Sequence, residues 1–183
     1  MDLLLHCCCG PCATGSIPQF QEAGYQPTGW FYNPNIHPWQ EQKARRESFE
    51  LLMQQLALPY HTEAGYPLED WLKQVAQQPE QRCEFCYRSR LEPAARLAAE
   101  KGFSCFSTTL LISPYQQHEL IKALGEEYAQ RYQVRFVYLD LRPRFRAGNA
   151  EARERGLYMQ KYCGCIYSEK DRYVKPSREG VLL

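Results

Sequence analysis

Four cysteines fall within six positions in LLLHCCCGPCATGS, residues 3–16, directly after an apolar run. Cys9 and Cys12 stand at CxxC spacing beside Cys8, and Cys83 and Cys86 in RCEFCYRSR repeat that spacing about seventy residues on. Cys163 and Cys165, in YCGCIYS, form a third group. Thiols so placed serve disulfides, a metal site or a redox-active thiol pair. Disulfides fit least: the chain has nine cysteines, so one must stay unpaired, and structural disulfides belong to oxidising compartments. Metal ligation suits each group in turn. An i, i+3 pair at a helix start puts two sulfurs on one face, and the helix N-terminus favours the thiolate. A glycine between two cysteines lets both sulfurs turn the same way. Four cysteines complete one tetrahedral zinc or one iron–sulfur cluster. The seven grouped here exceed that, which points to a cluster with a second metal or a cluster with a thiol pair. Paired CxxC motifs are also the zinc-ribbon signal, but a ribbon is a compact hairpin and these pairs lie far apart. Iron–sulfur is therefore favoured over structural zinc. Cys105, inside FSCFST, reads as a small core residue, and Cys7, out of phase with Cys8, is not counted as a ligand.

These groups need a scaffold that gathers them. Strands are expected at residues 3–6, 28–32, 103–108 and 134–139, and helices at 14–23, 39–57, 68–77, 83–101, 114–130 and 149–157. The helix at 39–57 rests on Phe49, Leu52, Met53 and Leu56 at helical spacing. Gly102, Gly125 and Gly156 are read as helix ends. Strands separated by helices of this length imply crossover units, hence an α/β layered fold with a mostly parallel sheet over residues 1–183 as one domain. Such a sheet presents its ligand site at the carboxyl ends of its strands.

Polar groups follow each expected strand. His6 ends the first, as a metal ligand, proton donor or satisfied structural histidine. NPNIHP, with Asn33, Asn35 and His37, follows the second and suits a nucleobase-like ligand or a plain tight turn. Thr108, Thr109 and Ser113 follow the third, and Asp140 follows the fourth. A carboxylate there can bind iron or act as a general acid.

The bulk composition sets outer limits. With 44% hydrophobic and 23% charged residues the chain is an ordinary globular sequence, and its net charge of +1 argues against a strongly basic nucleic-acid-binding domain. Local basic clusters remain: Arg45-Arg46, Arg88 with Arg90, Arg142 with Arg144 and Arg146, and Arg153 with Arg155. The first of these is read as a solvated helix face. MDLLLHCCC has no basic leader, and its apolar run is too short for a signal peptide or a membrane span. The expected location is cytoplasmic, with no membrane partner.

Six segments in order, HCCCGPC, FYNPNIHP, RCEFCYRSRLE, FSTTLLISPYQ, YLDLRPRF and GLYMQKYCGCIYS, resemble the epoxyqueuosine reductases of the QueH type over residues 3–173. The resemblance implies a Rossmann-like, nucleotide-hydrolase-like three-layer sandwich with its metal site at the carboxyl ends of the strands. It implies deoxygenation of epoxyqueuosine to queuosine at the wobble position of tRNA, the last step of queuosine synthesis, without cobalamin. It also implies a 4Fe-4S cluster and an adjacent mononuclear metal, expected to be iron. By position the family's cysteines are Cys8, Cys9, Cys12, Cys83, Cys86, Cys163 and Cys165, and Asp140 matches an acidic position that makes it a candidate metal ligand. Cys7 and Gly10 depart from common family residues at positions that are not expected ligands.

Opening an epoxide to an alkene takes in two electrons and two protons and releases water. On this reading the cluster supplies electrons singly, from a donor of flavodoxin or ferredoxin type, and the second iron polarises the epoxide oxygen. His6, His37 or Asp140 protonates it. Asn33, Asn35, Thr108, Thr109 and Ser113 are the expected substrate contacts, and Tyr32 and Tyr87 are expected either to stack on the base or to pack the core. Arg88, Arg90, Arg142, Arg144, Arg146 and Lys161 are expected to meet tRNA phosphates around the anticodon loop. Two other readings compete: a zinc-stabilised RNA-binding module and a thiol–disulfide or sulfur-transfer enzyme. The latter commonly carries an SGGxDS phosphate loop, where this chain has CCCGPCATGS.

Overall fold

LLL at positions 3–5 is apolar without alternation, as a strand buried on both faces must be. In a computed structural model describing residues 1–63 and 65–174 it lies at the centre of a five-stranded parallel sheet. The strands are β1 (Asp2–Cys7), β2 (Gln26–Phe31), β3 (Tyr60–Thr62), β4 (Cys105–Thr108) and β5 (Arg135–Phe136). Their order is β3-β2-β1-β4-β5. The helices are α1 (Gly10–Glu22), α2 (Trp39–Gln55), α3 (Leu68–Val75), α4 (Arg82–Glu100), α5 (His118–Tyr132), α6 (Phe145–Glu154) and α7 (Ile166–Tyr173). From β1 the chain winds outward through β2 to β3, then returns to place β4 on the other side of β1. Right-handed crossovers in opposite directions put their helices on opposite faces. Accordingly α1 packs on α2 and α6, and α4 packs on α5. The result is a Rossmann-like three-layer fold whose topological switch point lies between the carboxyl ends of β1 and β4.

Register fixes what meets at that point. His6 sits beside Thr108 on β4 and Trp30 on β2, so Cys8 leaves β1 directly beside Thr109. Several sequence-based boundaries need correction. α1 begins at Gly10 rather than Thr14, because Cys9 caps it: its sulfur accepts from the Cys12 backbone N–H at 3.4 Å. Cys12 is therefore helical, not a loop residue. The helix expected from Pro114 starts at His118, after a 3-10 turn at Thr109–Ile112. The strand expected over 134–139 pairs only at Arg135–Phe136, with one further backbone bond from Val137 to Phe106. The last long helix lies four residues earlier than expected, at Phe145–Glu154, and α7 was not anticipated. Neither was β3, whose three residues carry no readable pattern.

Gly125 is a correction of another kind. It lies inside α5, where an added Cβ would stand 2.5 Å from the Phe136 ring, so its smallness seats α5 on β5. The α1–α6 crossing has the same character: a Cβ on Gly148 would lie 2.7 Å from the Gly15 Cα. Backbone cannot swing aside as a side chain can, so Gly148→Ala is expected to destabilise the protein by about 1–3 kcal/mol. Chemical denaturation measures this, and an unchanged midpoint would refute the tight crossing.

Candidate metal centre

The Sγ atoms of Cys8, Cys9 and Cys12 lie within 4.8 Å of one another and all three residues are buried. Each comes from a different local device. Cys8 follows β1, Cys9 caps α1, and Cys12 sits in the first helical turn above them. Cys8 Sγ and Cys9 Sγ are 3.7 Å apart. Three thiols crowded in a dry site cannot all ionise. Donation from Cys12 and Cys9, with Thr109 assisting, holds the Cys8 thiol well below its ordinary value. Burial pushes Cys9 up, and the neighbouring Cys8 raises Cys12. A thiophilic cation would remove that conflict, since it replaces the shared protons and binds all three as thiolates.

The second sulfur group is built from more distant pieces. Cys83 and Cys86 sit in the first turns of α4, and Cys163 and Cys165 flank Gly164, whose φ of +147° is open to glycine and strained for other residues. Cys86 is buried, and its thiol is pushed up to about 12, chiefly by that burial and also by Cys163, Cys165 and Cys83 as like charges. Its sulfur accepts from Asn35 Nδ2 at 3.0 Å and Arg90 Nη2 at 2.8 Å. Cys163 is exposed and accepts from Gln116 Nε2 at 3.4 Å. Cys165 caps α7, accepting from the Ser168 N–H at 3.4 Å. The three clustered sulfurs of Cys8, Cys9 and Cys12 fit a thiophilic metal, and the second group adds four thiols with two buried guanidinium groups turned towards their segments.

Between the groups opens a cavity of about 330 Å³. Cys8, Cys12 and Cys163 reach it, with Gln160 and Gln116 beside them and Tyr115, Phe145, Asn149, Arg153 and Lys161 towards its mouth. Gln160 Nε2 donates to Cys9 Sγ at 3.0 Å, while its buried Oε1 has no partner among the described residues. Tyr115 is 83% exposed and sets its ring edge-on to Phe145 at 5.9 Å.

The other sequence-derived candidates are distributed unevenly. Ser113 lines the cavity. Thr109 Oγ1 accepts from the Cys8 N–H at 3.1 Å. Thr108 Oγ1 bonds His6 Nδ1 at 2.8 Å, and His6 Nε2 reaches the Tyr32 carbonyl at 3.0 Å. His6 is thus fully buried and doubly engaged; burial first, then the Arg90 charge, lowers its pKa to about 4. His37 is buried against Trp71 and Tyr66, lowered to about 4 by burial, and does not line the cavity. Asn33 holds the Cys7 carbonyl at 2.9 Å. Tyr32 stacks on Trp30 at 5.0 Å.

Three expectations are corrected by these positions, and the two-way reading of Tyr87 is resolved. Asp140 is not brought to the sulfurs: β5 ends at Phe136, and the exposed carboxylate closes on Arg142 at 2.6 and 2.8 Å, which holds it down to about 2. Arg90 has 2% exposure and no surface for a phosphate. Tyr87 is equally buried, with its hydroxyl bonded to Gln116 Oε1 and the Gln117 N–H, so it braces the core. Arg45, read as solvated, is 1% exposed. Its guanidinium pairs with Glu41 at 2.7 Å and donates to the carbonyls of Tyr162 and Cys163, both at 2.8 Å. Among the expected phosphate contacts, Arg88 is engaged by Glu84 and Glu127, and Arg142 by Asp140. Arg144 and Arg146 lie outside the cavity lining, which Lys161 joins. Gln160, Tyr115 and Phe145 lie inside three of the segments that carry the resemblance but were not singled out there.

The family model described as Epoxyqueuosine reductase QueH matches residues 3–171. An epoxyqueuosine reductase QueH from Dehalococcoides mccartyi is 38% identical over 175 residues, covering 96% of each chain. Proteins of the same name from Histophilus somni and Thermotoga maritima are 36% and 32% identical, covering 92% and 94% of this chain and 72% and 93% of theirs. Among solved structures, a "predicted subunit of tRNA methyltransferase" from Methanocaldococcus jannaschii superposes with a TM-score of 0.54 at 15% identity, over 84% of this chain and 76% of that one. That likeness speaks for the fold alone.

Proposed function

The chain belongs to the epoxyqueuosine reductase QueH family, and from that premise we propose that the sulfur-floored cavity is where it converts epoxyqueuosine to queuosine in tRNA. The observation that carries this reading is one cavity lined by Cys8 and Cys12 of the first sulfur group and by Cys163 of the second. The product is an alkene and water, so two electrons and two protons must arrive; the electrons come from a donor of flavodoxin or ferredoxin class. We assign Cys83, Cys86, Cys163 and Cys165 to a 4Fe-4S cluster, which needs four thiolates. Cys8, Cys9 and Cys12 would hold a single iron, and two of these three line the cavity. When bound, the two groups supply single electrons and an electrophile for the epoxide oxygen.

The protein's own residues do the rest. Gln160, anchored on Cys9 with its Oε1 unpartnered, is placed to accept from a substrate hydroxyl or amine. Ser113 and Gln116 offer polar contacts deeper in the cavity. Tyr115 and Phe145 at the mouth give an anticodon-loop base a face to stack on, as single-stranded RNA favours. Arg153 and Lys161 supply positive charge beside it. tRNA is found in the cytoplasm, and this reading places the enzyme there. No helix among the described residues is long and apolar enough to cross a membrane.

The first test is iron and sulfide analysis of anaerobically purified protein, with turnover of an anticodon stem-loop carrying epoxyqueuosine. About four or five irons with about four sulfides is the expected content; zinc without sulfide, even after anaerobic reconstitution, refutes it. Tyr115→Ala is expected to weaken binding of that stem-loop about tenfold, because stacking on an aromatic face contributes about 1–3 kcal/mol per base. Lys161→Ala should lower the slope of log affinity against log salt by about 0.7. Binding indifferent to both changes would place the RNA elsewhere.

A further inference from the structure

Arg90 is a buried cation without a carboxylate. It lies one helical turn after Cys86 on α4, is 2% exposed, and forms no ion pair with an acidic residue among the described residues. Its Nε donates to the Cys86 carbonyl at 3.0 Å and its Nη2 to the Cys86 sulfur at 2.8 Å. Removing a guanidinium from water costs several kcal/mol unless an anion compensates. The group within its reach is the Cys86 sulfur, which becomes an anion when it ligates metal. Asn35 approaches the same sulfur from the turn after β2, with Nδ2 at 3.0 Å, although its own buried Oδ1 finds no partner. The reverse orientation of that amide would set an oxygen against a sulfur anion. Two donors from segments that are far apart in sequence thus converge on one buried sulfur.

We infer that Arg90 and Asn35 form a clamp that donates to the Cys86 sulfur and sets the reduction potential of the cluster it ligates. The inference rests on the cluster assignment above. Hydrogen bonds and positive charge at a ligating sulfur stabilise the more negative, reduced cluster over the oxidised one, so they raise its potential. Among the described residues no arginine donates to the sulfur of Cys83 or Cys163, and the asymmetry makes Cys86 the sulfur through which this chain tunes electron acceptance. Arg90 and Asn35 are positioning residues: they act on the sulfur and touch no substrate.

The test is the midpoint potential of anaerobically loaded protein, followed by electron paramagnetic resonance during reductive titration, with iron and sulfide counted in each sample. In Arg90→Gln the one-electron reduction constant is expected to fall about tenfold, a shift of about 59 mV to more negative potential. Asn35→Leu, which keeps the volume and removes both the donor and the orphaned oxygen, is expected to shift it in the same direction by less. Arg90→Lys, keeping the charge, is expected to recover most of the loss. A purely structural role would leave the potential of every loaded variant at the wild-type value, and that result overturns the clamp. If Arg90→Gln does not load iron, Asn35→Leu decides. Loss of iron from both also overturns it, since the pair would then serve assembly and not potential. Wild-type protein without iron and sulfide overturns the cluster assignment instead, and the clamp falls with it.

Discussion

Cys83→Ala protein, prepared anaerobically, is expected to contain no labile sulfide, to lack the broad visible absorbance of a cluster, and to form no queuosine. Cys12→Ala is expected to lose activity as completely while keeping its sulfide and about four irons. The contrast follows from the partition into two sulfur groups. Cys83 stands with Cys86, Cys163 and Cys165, whose mutual repulsion as anions is part of what raises the Cys86 thiol. Removing one of four thiolates leaves a cluster iron exposed and the site open to loss of metal. Cys12 stands with Cys8 and Cys9, all within 4.8 Å, and reaches the cavity where the substrate would enter. Removing it should disable the single-iron site without dismantling the electron store. Iron and sulfide counts on the two variants separate these outcomes. Equal loss of sulfide in both would refute the partition, and turnover surviving the loss of the cluster would refute its redox role.

The second large effect is expected from Arg45→Met. This guanidinium is fully engaged: one side pairs with Glu41 on the same helix, and the other donates to two carbonyls of the segment that carries Cys163. Glu41 is itself 8% exposed and also accepts from the Tyr158 hydroxyl. Methionine can replace the apolar stem but leaves two carbonyls without a donor and a buried carboxylate with the Tyr158 hydroxyl alone and no counter-charge. Breaking a buried pair in this way costs about 3–5 kcal/mol, a large part of the stability of any single domain. Urea denaturation of the metal-free protein under reducing conditions should show that loss. The loaded protein should also bind less iron, because Cys163 and Cys165 are no longer held against α2. Arg45→Lys should recover little of either, since one ammonium cannot span three acceptors as a planar fork does. Wild-type stability and full metal content in Arg45→Met would mean that the CGC turn is positioned by other contacts.

Both experiments probe residues whose importance was unequally visible beforehand. The cysteine groups, their spacing and the strand ends that carry Cys8 and Thr109 are legible in the chain, because thiol spacing and apolar runs are local signals. The parallel Rossmann-like sheet is equally legible, since helix and strand periods alternate along the sequence. Two kinds of feature were not. The start of α1 was displaced and α7 was missed where sulfur served as a cap at Cys9 and Cys165, a role ordinarily taken by Ser, Thr, Asp or Asn. Charged residues were misplaced more severely, with Arg45 and Arg90 read as surface groups and Asp140 as a ligand.

The physical reason is range. By itself the sequence determined which atoms are available as donors, sulfur above all, and that a parallel sheet would collect some of them at one edge. Whether a given charge faces water, a sulfur or a neighbouring arginine depends on residues far away in the chain. Arg45 is buried because the segment around Cys163, 118 positions later, closes over it. Arg90 and Asp140 find their partners nearby, at Cys86 and Arg142, but the turn bearing Asn35 packs on the same buried sulfur as Arg90, while Asp140 stays exposed beyond the end of β5 at Phe136. Spacing, and with it the i, i+4 partners of Arg45 and Arg90, is a property of the chain, but whether such a charge is buried is settled only when distant segments exclude water together.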